Sequence, residues 1–205
     1  RMYLPSFIFT EKNLIVVIGQ DGLVANTAKY SKGCPIIAVN PDKDRYDGVL
    51  LPFDTSNFLC GVDNVLRNQF QSKTMRFAEA KLNDGQRILA FNDLFIGATS
   101  HISARYKISF NQSTEEHSSS GLIISTPAGS TGWLSSIFNM AYGVVGMFDK
   151  NLKQQSPQLN DNELLFTVRE PFQSIKTQTG ITTGIINNQN SLIIESLMPT
   201  SGVIF

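Results

Sequence analysis

The chain has 205 residues, and its 17 basic and 17 acidic side chains give a formal net charge of zero. This length can bury the core of one large domain or two small ones, and the balanced charge excludes a field that would attract nucleic acid or an acidic membrane. No apolar stretch approaches the roughly 18 residues of a membrane-spanning helix, and the first residues do not form a signal peptide. Cys34 and Cys60, the only cysteines, lack metal-ligand spacing, which favours a reducing compartment and predicts a cytoplasmic protein.

The first predicted elements are a strand, a helix and a second strand, followed by another helix. They cover residues 14–18, 23–30, 35–39 and 57–69. In such a βαβ unit the crossover is almost always right-handed, and ligands gather at the carboxyl ends of the strands. Gly19 and Asn40 are therefore predicted to lie at the same edge of the sheet. These elements form an N-terminal α/β lobe over residues 1–72.

Short strands dominate the rest of the chain, which we assign to a β-rich lobe over residues 73–205. The turn sequence at residues 83–85 predicts a hairpin within residues 75–90. Further strands are predicted at residues 93–98, 105–110, 121–126, 164–169 and 192–196, with a helix at 131–140. Polar composition predicts a loop at residues 111–120 and an exposed connection at 149–162.

The turn Gly19-Gln20-Asp21-Gly22 joins the first strand to the first helix. Its two glycines let the backbone approach a ligand closely, and the free amides at the helix start would face a phosphate. A carboxylate repels phosphate unless a cation neutralises the oxygens or the acid transfers a proton, so Asp21 is a candidate base. The alternative, which spacing alone favours, is that Asp21 caps the helix and stabilises it by about 1 kcal/mol.

A second turn, Thr126-Pro127-Ala128-Gly129-Ser130-Thr131, follows a buried strand and precedes a helix. Gly129 permits tight curvature, and the hydroxyls of Ser130 and Thr131 could cap the helix or bind a ligand. A lone turn of this composition is more often structural. Asn92-Asp93, at the end of another strand, could hold ribose hydroxyls or an adenine edge, and an Asx turn is an equal alternative.

Three other polar groups carry weaker signals. His101 and His117 lie in polar segments without a set of metal ligands, so solvation at the surface is the favoured interpretation for both. Arg169 could bind phosphate, but an ion pair with Glu170 is the simpler role.

In their order along the chain, the three turns resemble those of the NAD kinase family, within the larger group that also holds diacylglycerol and sphingosine kinases. Residues 19–22 resemble the family's Gly-Gly-Asp-Gly turn, Asn92-Asp93 its Asn-Glu/Asp pair, and residues 126–131 its Thr-Pro-Thr-Gly-Ser-Thr segment. Residues 95–97 and 169–171 resemble a divergent branch that includes animal mitochondrial NAD kinases and bacterial proteins labelled sugar kinases.

The resemblance implies an α/β plus β fold, with a Rossmann-like N-terminal lobe and a C-terminal β-sandwich lobe. It implies that the protein transfers the γ-phosphate of ATP to the 2′-hydroxyl of the adenosine ribose of NAD, with Asp21 as general base and Mg²⁺ positioning the donor. No dedicated protein cage for Mg²⁺ is evident, and relatives form homodimers or homotetramers. The residues implied to contact the ligands are Gly19, Gln20, Gly22, Asn92, Asp93, Thr126, Ala128, Gly129, Ser130 and Thr131.

Four departures from the family pattern keep other functions open. Gln20 replaces a glycine, and Ser120, Gly132 and Trp133 stand where the family usually has an acid, an alanine and a tyrosine. A lipid kinase or a sugar or polyol kinase on the same scaffold is one alternative. A nucleotide-binding protein without turnover is the other.

Overall fold

A computed structural model describes residues 8–149, 151, 153–155 and 158–205 of the chain. The chain divides into two compact units. One comprises the described residues up to Thr74, and the other comprises those from Met75 to Phe205.

The N-terminal unit is an α/β unit with a three-stranded sheet in the order β1-β2-β3. Its elements are β1 (Ile15–Ile18), α1 (Asp21–Ala28), β2 (Ile36–Asn40), β3 (Phe53–Asp54) and α2 (Phe58–Leu66). β1 and β2 pair in parallel, with Ile15 opposite Ile36, so the predicted βαβ unit is confirmed. Apolar side chains of β1, α1 and β2 form a small core around Val17, Val24 and Ala38. The parallel pairing brings the ends of β1 and β2 to one edge, as predicted for Gly19 and Asn40.

The C-terminal unit consists mainly of antiparallel strands, with one long helix. Its elements are β4 (Ala78–Lys81), β5 (Arg87–Ala90), β6 (Asp93–Ala98), β7 (Ala104–Phe110), β8 (Ser113–Ser119), β9 (Leu122–Ser125), α3 (Trp133–Val145), β10 (Leu164–Val168), β11 (Thr183–Ile186), β12 (Ile193–Ser196) and β13 (Gly202–Ile204). The larger sheet has the order β11-β10-β9-β6-β13, the smaller one β12-β7-β8, and β4 pairs with β5 as the predicted hairpin.

The two sheets of this unit bury a common core, which makes it a β-sandwich. Ile108 of the smaller sheet and Leu122 and Phe166 of the larger one are fully buried in a single cluster. A second cluster on the other face of the larger sheet packs Ile123 against Leu134 of α3. All four residues of β9 are buried because both faces of this strand are covered. The observed α/β unit and β-sandwich unit confirm the predicted fold class.

The predicted loop at residues 111–120 is wrong, because most of these residues form the strand β8. β8 pairs with β7 along its length, with Ala104 opposite Ser119. Its sequence contains no apolar residue, and its inward positions hold His117 and Ser119, which are 1% and 3% exposed. Hydrophobic alternation cannot reveal a strand whose buried positions are polar and hydrogen-bonded.

The turn between β7 and β8 gives a direct test of this hairpin. Asn111 and Gln112 have φ angles of 47° and 67°, the left-handed region that glycine adopts with least strain. Replacing Gln112 with glycine should therefore raise the free energy of unfolding by about 0.5–1 kcal/mol, measured by denaturant titration. The matched control is Gln189→Gly, at an exposed position without positive φ, which should be neutral or destabilising. Destabilisation by Gln112→Gly would contradict the observed turn.

Other element bounds also differ from the sequence predictions. The strands β3, β11 and β13 are short and were not predicted, because strands of two to four residues carry too little periodicity. α3 begins later than predicted, since the hydroxyl-rich turn before it is not helical. It also ends later than predicted. The predicted connection at 149–162 falls partly outside the described residues. No helix in the described ranges is long and apolar enough to cross a membrane.

Candidate functional site

The first candidate turn lies at the carboxyl end of β1. The Gly19 amide donates to the Val39 carbonyl at 3.2 Å, which ties the turn to the end of β2. α1 begins at Asp21, two residues earlier than predicted, and Gln20 is its N-cap residue. A side chain at Gly22 would meet no atom within 4 Å, so the helix start is open on that side.

Asp21 is not the N-cap residue of α1, which corrects the capping interpretation, but its carboxylate does lie in the first turn, where it favours the positive end of the helix. Its Oδ1 atom accepts a hydrogen bond of 2.6 Å from the backbone amide of Leu50. Within the described residues, its other carboxylate oxygen, Oδ2, receives no hydrogen bond. Because the residue is only half-buried, Oδ2 can reach a ligand. The arrangement is that of a carboxylate held at one oxygen and available at the other.

Gln20 fits this turn without backbone strain, although the resemblance puts a glycine there. Its φ and ψ angles are −81° and 162°, an extended conformation that any residue adopts. Its side chain is exposed and makes no capping hydrogen bond. The substitution therefore leaves the chain path of the turn intact and adds a polar side chain beside Asp21.

The other two motifs meet in the C-terminal unit because β6 and β9 are antiparallel neighbours. Asp93 at the start of β6 lies opposite Ser125 at the end of β9. The amide of Thr126 donates to the Asn92 carbonyl at 2.9 Å, and its hydroxyl donates to the Phe91 carbonyl at 2.6 Å. The Asn92 side chain is exposed, so it is free to contact a ligand.

Gly129 is the point of closest approach between these two motifs. A Cβ atom at this position would lie 2.3 Å from the Asn92 carbonyl oxygen and 2.8 Å from Oδ1 of Asp93. The Gly129 amide donates to the Thr126 hydroxyl at 3.1 Å, which closes the turn. The absence of a side chain is thus what lets the turn sit against the Asn92-Asp93 pair.

Neither hydroxyl residue after Gly129 caps α3, so that sequence-based alternative is wrong. The N-cap residue is Gly132, and no side chain bonds to the helix start. The Ser130 hydroxyl instead donates to the Pro127 carbonyl at 2.8 Å. Thr131 is exposed, and its hydroxyl has no hydrogen bond within the described residues. This hydroxyl is therefore available to a ligand.

Asp93 differs from Asn92 in being partly withdrawn from solvent. Its Oδ1 atom is buried and lacks a hydrogen-bond partner among the described residues. Burial raises the pKa of the Asp93 carboxyl above its ordinary value, while the Ser125 hydroxyl acts in the opposite direction. An unpartnered buried carboxyl oxygen is costly, and a donor group of a bound ligand would relieve that cost.

Aromatic and cationic groups surround the first turn of α3. Trp133 stacks on Phe95, with ring centroids 5.5 Å apart and planes 14° from parallel. The Arg169 guanidinium lies over the Trp133 ring at 5.3 Å and also forms the expected ion pair with Glu170, at 3.6 Å. Trp133 thus has a packing role that its large ring surface explains.

The two histidines differ in their exposure to solvent. His101 is exposed, as predicted, but the predicted surface position of His117 is wrong. Its Nε2 atom is 2.9 Å from Oε2 of Glu115, which also accepts amide hydrogen bonds from Gly180 and Ile181. Burial alone would raise the pKa of Glu115, but these hydrogen bonds lower it overall. The pair joins β8 to the segment before β11. No group of three or more potential metal ligands occurs in the described residues.

Comparison with known proteins agrees with this architecture of an α/β unit followed by a β-sandwich unit. No protein-family model matches the chain. The chain is 28% identical over 134 residues to the NAD kinases of Thermoanaerobacter sp. strain X514 and Thermoanaerobacter pseudethanolicus. These matches cover 62% of this chain and 46% of each relative. The NAD kinase of Heliobacterium modesticaldum is 28% identical over 130 residues, which cover 59% of this chain and 44% of that protein.

A solved structure shares the fold. The crystal structure of yeast NADH kinase complexed with NADH matches with a TM-score of 0.56 and 16% identity, over 95% of this chain and 61% of that chain. The matches with sequence relatives span less than half of those proteins. The chain is therefore similar in sequence to part of these NAD kinases, and it shares the fold of yeast NADH kinase.

Proposed function

We propose that the protein transfers the γ-phosphate of ATP to the 2′-hydroxyl of the adenosine ribose of NAD, giving NADP. One observation carries the proposal: the antiparallel pairing of β6 and β9 joins the Asn92-Asp93 pair to the turn at residues 126–131. Two motifs separated by more than 30 residues in sequence thus form one polar, open surface. The similarity to NAD kinases supports a dinucleotide as its ligand.

In this proposal the acceptor binds to the surface around Asn92. The exposed Asn92 amide and the Asp93 carboxyl hold the dinucleotide, and the free Thr131 hydroxyl adds a further polar contact. Ala128 and Ser130 line the same surface with small side chains. The buried Thr126 hydroxyl, bonded to Phe91 and Gly129, contributes by fixing the turn. Gly129 contributes by the close approach that its missing side chain allows.

Asp21 is the proposed general base. Its Oδ2 atom takes the proton of the ribose 2′-hydroxyl. At the same time, the hydroxyl oxygen forms a bond to the γ-phosphorus, and the bond from that phosphorus to the β-phosphate oxygen breaks, which releases ADP. The backbone of Gly19, Gln20 and Gly22 at the start of α1 faces the donor phosphates. Mg²⁺ would bind through the ATP phosphates and neutralise their charge.

A different acceptor on the same scaffold is the second candidate. The exposed side chain of Gln20 beside Asp21 is the observation that favours it, because this side chain could contact or exclude an acceptor. A lipid or polyol would then replace NAD. A nucleotide-binding protein without turnover is the remaining alternative. Assembly into a homodimer or homotetramer stays a prediction.

One assay separates these functions. The full chain, incubated with ATP, Mg²⁺ and NAD, should form NADP in step with ADP release. ADP release with a lipid or polyol, but not with NAD, would favour the second candidate. Calorimetric binding of NAD without any product would favour the non-catalytic alternative and overturn the proposal.

A further inference from the structure

Asn40, the last residue of β2, is a buried asparagine with both side-chain polar atoms bonded. It is 4% exposed. Its Nδ2 atom donates to the Tyr46 carbonyl at 3.0 Å, and its Oδ1 atom accepts from the Asp42 amide at 3.0 Å. A single side chain thus bonds to two backbone groups, at residues 42 and 46, of the loop that follows β2.

This loop leads directly to the hydrogen bond on Asp21. Gly48 has a φ angle of +67°, and a Cβ atom there would lie 2.6 Å from Nδ2 of Asn40, so the chain passes closely over this amide. The Leu51 amide then donates to the Gly48 carbonyl at 3.0 Å, and the Leu51 side chain is buried in the core of the unit. Between these fixed points lies Leu50, whose amide donates to Oδ1 of Asp21.

We propose that Asn40 is a positioning residue for Asp21, acting through the loop at residues 41–50 and the Leu50 amide. Asn40 shapes the loop, the loop sets where the Leu50 amide points, and that amide holds Oδ1 while Oδ2 stays available for proton transfer. The inference rests on the proposed function for its catalytic consequence. Its structural part, the link from Asn40 to Leu50, does not depend on which acceptor is used.

A purely structural role for Asn40 would have different consequences. Loss of a buried hydrogen-bonding side chain lowers stability wherever it occurs, but it has no reason to act on the chemical step alone. A positioning role predicts a loss in kcat with little change in KM, because the base is misaligned while the binding surface around Asn92 is unaltered. It also predicts that the loss disappears once Asp21 can no longer act as a base.

The test is a double-mutant cycle in the full chain. Asn40→Ala should lower kcat at least about tenfold while KM for NAD changes less than about threefold. In the Asp21→Asn background, Asn40→Ala should cause almost no further loss. Ser31→Ala is the matched control, since Ser31 is also buried in this unit and bonds to a backbone carbonyl, and it should leave kcat unchanged. Equal losses from Asn40→Ala in both backgrounds would overturn the inference.

Amide hydrogen exchange, followed by NMR, tests the link without relying on activity. In Asn40→Ala the Leu50 amide should exchange at least about tenfold faster, while the Ala38 amide in β2 should be unaffected. Gly48→Ala, which crowds the Asn40 amide, should have the same effect and replaces Asn40→Ala if that variant does not fold. Unchanged exchange at Leu50 would overturn the inference. A wild-type protein without NADP formation would instead overturn the proposed function, while the exchange rates would still decide whether Asn40 holds Leu50.

Discussion

Replacing Asp21 with asparagine is expected to lower kcat for NADP formation by about 10²- to 10⁴-fold. Asparagine keeps the shape of the side chain and an oxygen that can accept the hydrogen bond from Leu50, so the turn should be preserved. What is lost is the ability to take a proton from the ribose hydroxyl. Initial rates with saturating ATP and Mg²⁺, and calorimetric affinity for NAD, measure the two effects separately.

The control for this prediction makes the same chemical change elsewhere in the unit. Asp63 is exposed on α2 and pairs with Arg67 at 3.2 Å, an ion pair that contributes little at a surface. Asp63→Asn should therefore leave kcat and NAD binding unchanged. Undiminished turnover by Asp21→Asn would show that Asp21 is not the base. A loss of NAD affinity equal to the loss in rate would assign Asp21 to binding.

Replacing Gly129 with alanine is expected to weaken NAD binding at least about tenfold and to lower the free energy of unfolding by about 1–3 kcal/mol. The new methyl group would collide with the Asn92 carbonyl and the Asp93 carboxyl, at 2.3 and 2.8 Å. Asp93 begins the paired strand β6, and the Asn92 carbonyl is bonded to the Thr126 amide, so the turn must move away from them and the binding surface must open. Calorimetry with NAD and denaturant titration measure the two consequences.

The matched control is a second glycine, whose replacement is expected to raise the stability of the protein. Gly143 is exposed in α3, and a Cβ atom there meets nothing within 4 Å. Gly143→Ala should leave NAD binding unchanged and stabilise the protein by about 0.5–1 kcal/mol, because alanine loses less backbone entropy in a helix. Normal NAD affinity in Gly129→Ala would contradict the role assigned to the close contact between the two motifs.

The sequence predicted the parts of the fold whose signals are local and apolar. The alternation of strand and helix predicted the βαβ unit, and the run before the hydroxyl-rich turn predicted β9. It failed at β8, where the buried positions hold His117 and Ser119. Hydrogen bonds stabilise these polar side chains: Nε2 of His117 pairs with Glu115, and the Ser119 hydroxyl bonds to Tyr106 of β7.

In the candidate site, too, the sequence indicated the residues but not their contacts. Residue types and their order indicated Asp21, the Asn92-Asp93 pair and the turn at residues 126–131, because the residue type alone determines whether a side chain is a carboxylate or an amide. The contact partner of Asp21 could not be predicted, because the Leu50 amide is a backbone group that any residue except proline would supply.

By itself, then, the sequence predicted the βαβ unit, the hairpin, most of the longer strands and the three polar turns, and its family resemblance indicated Asp21 as the candidate base. Only the tertiary structure decided that the Asn92 carbonyl bonds to Thr126, that Gly129 touches both residues of the pair, and that Asn40 shapes the loop that holds Asp21. The physical reason is that side-chain chemistry and periodicity are local properties. Strand pairing and backbone hydrogen bonds instead join segments whose sequences do not specify one another.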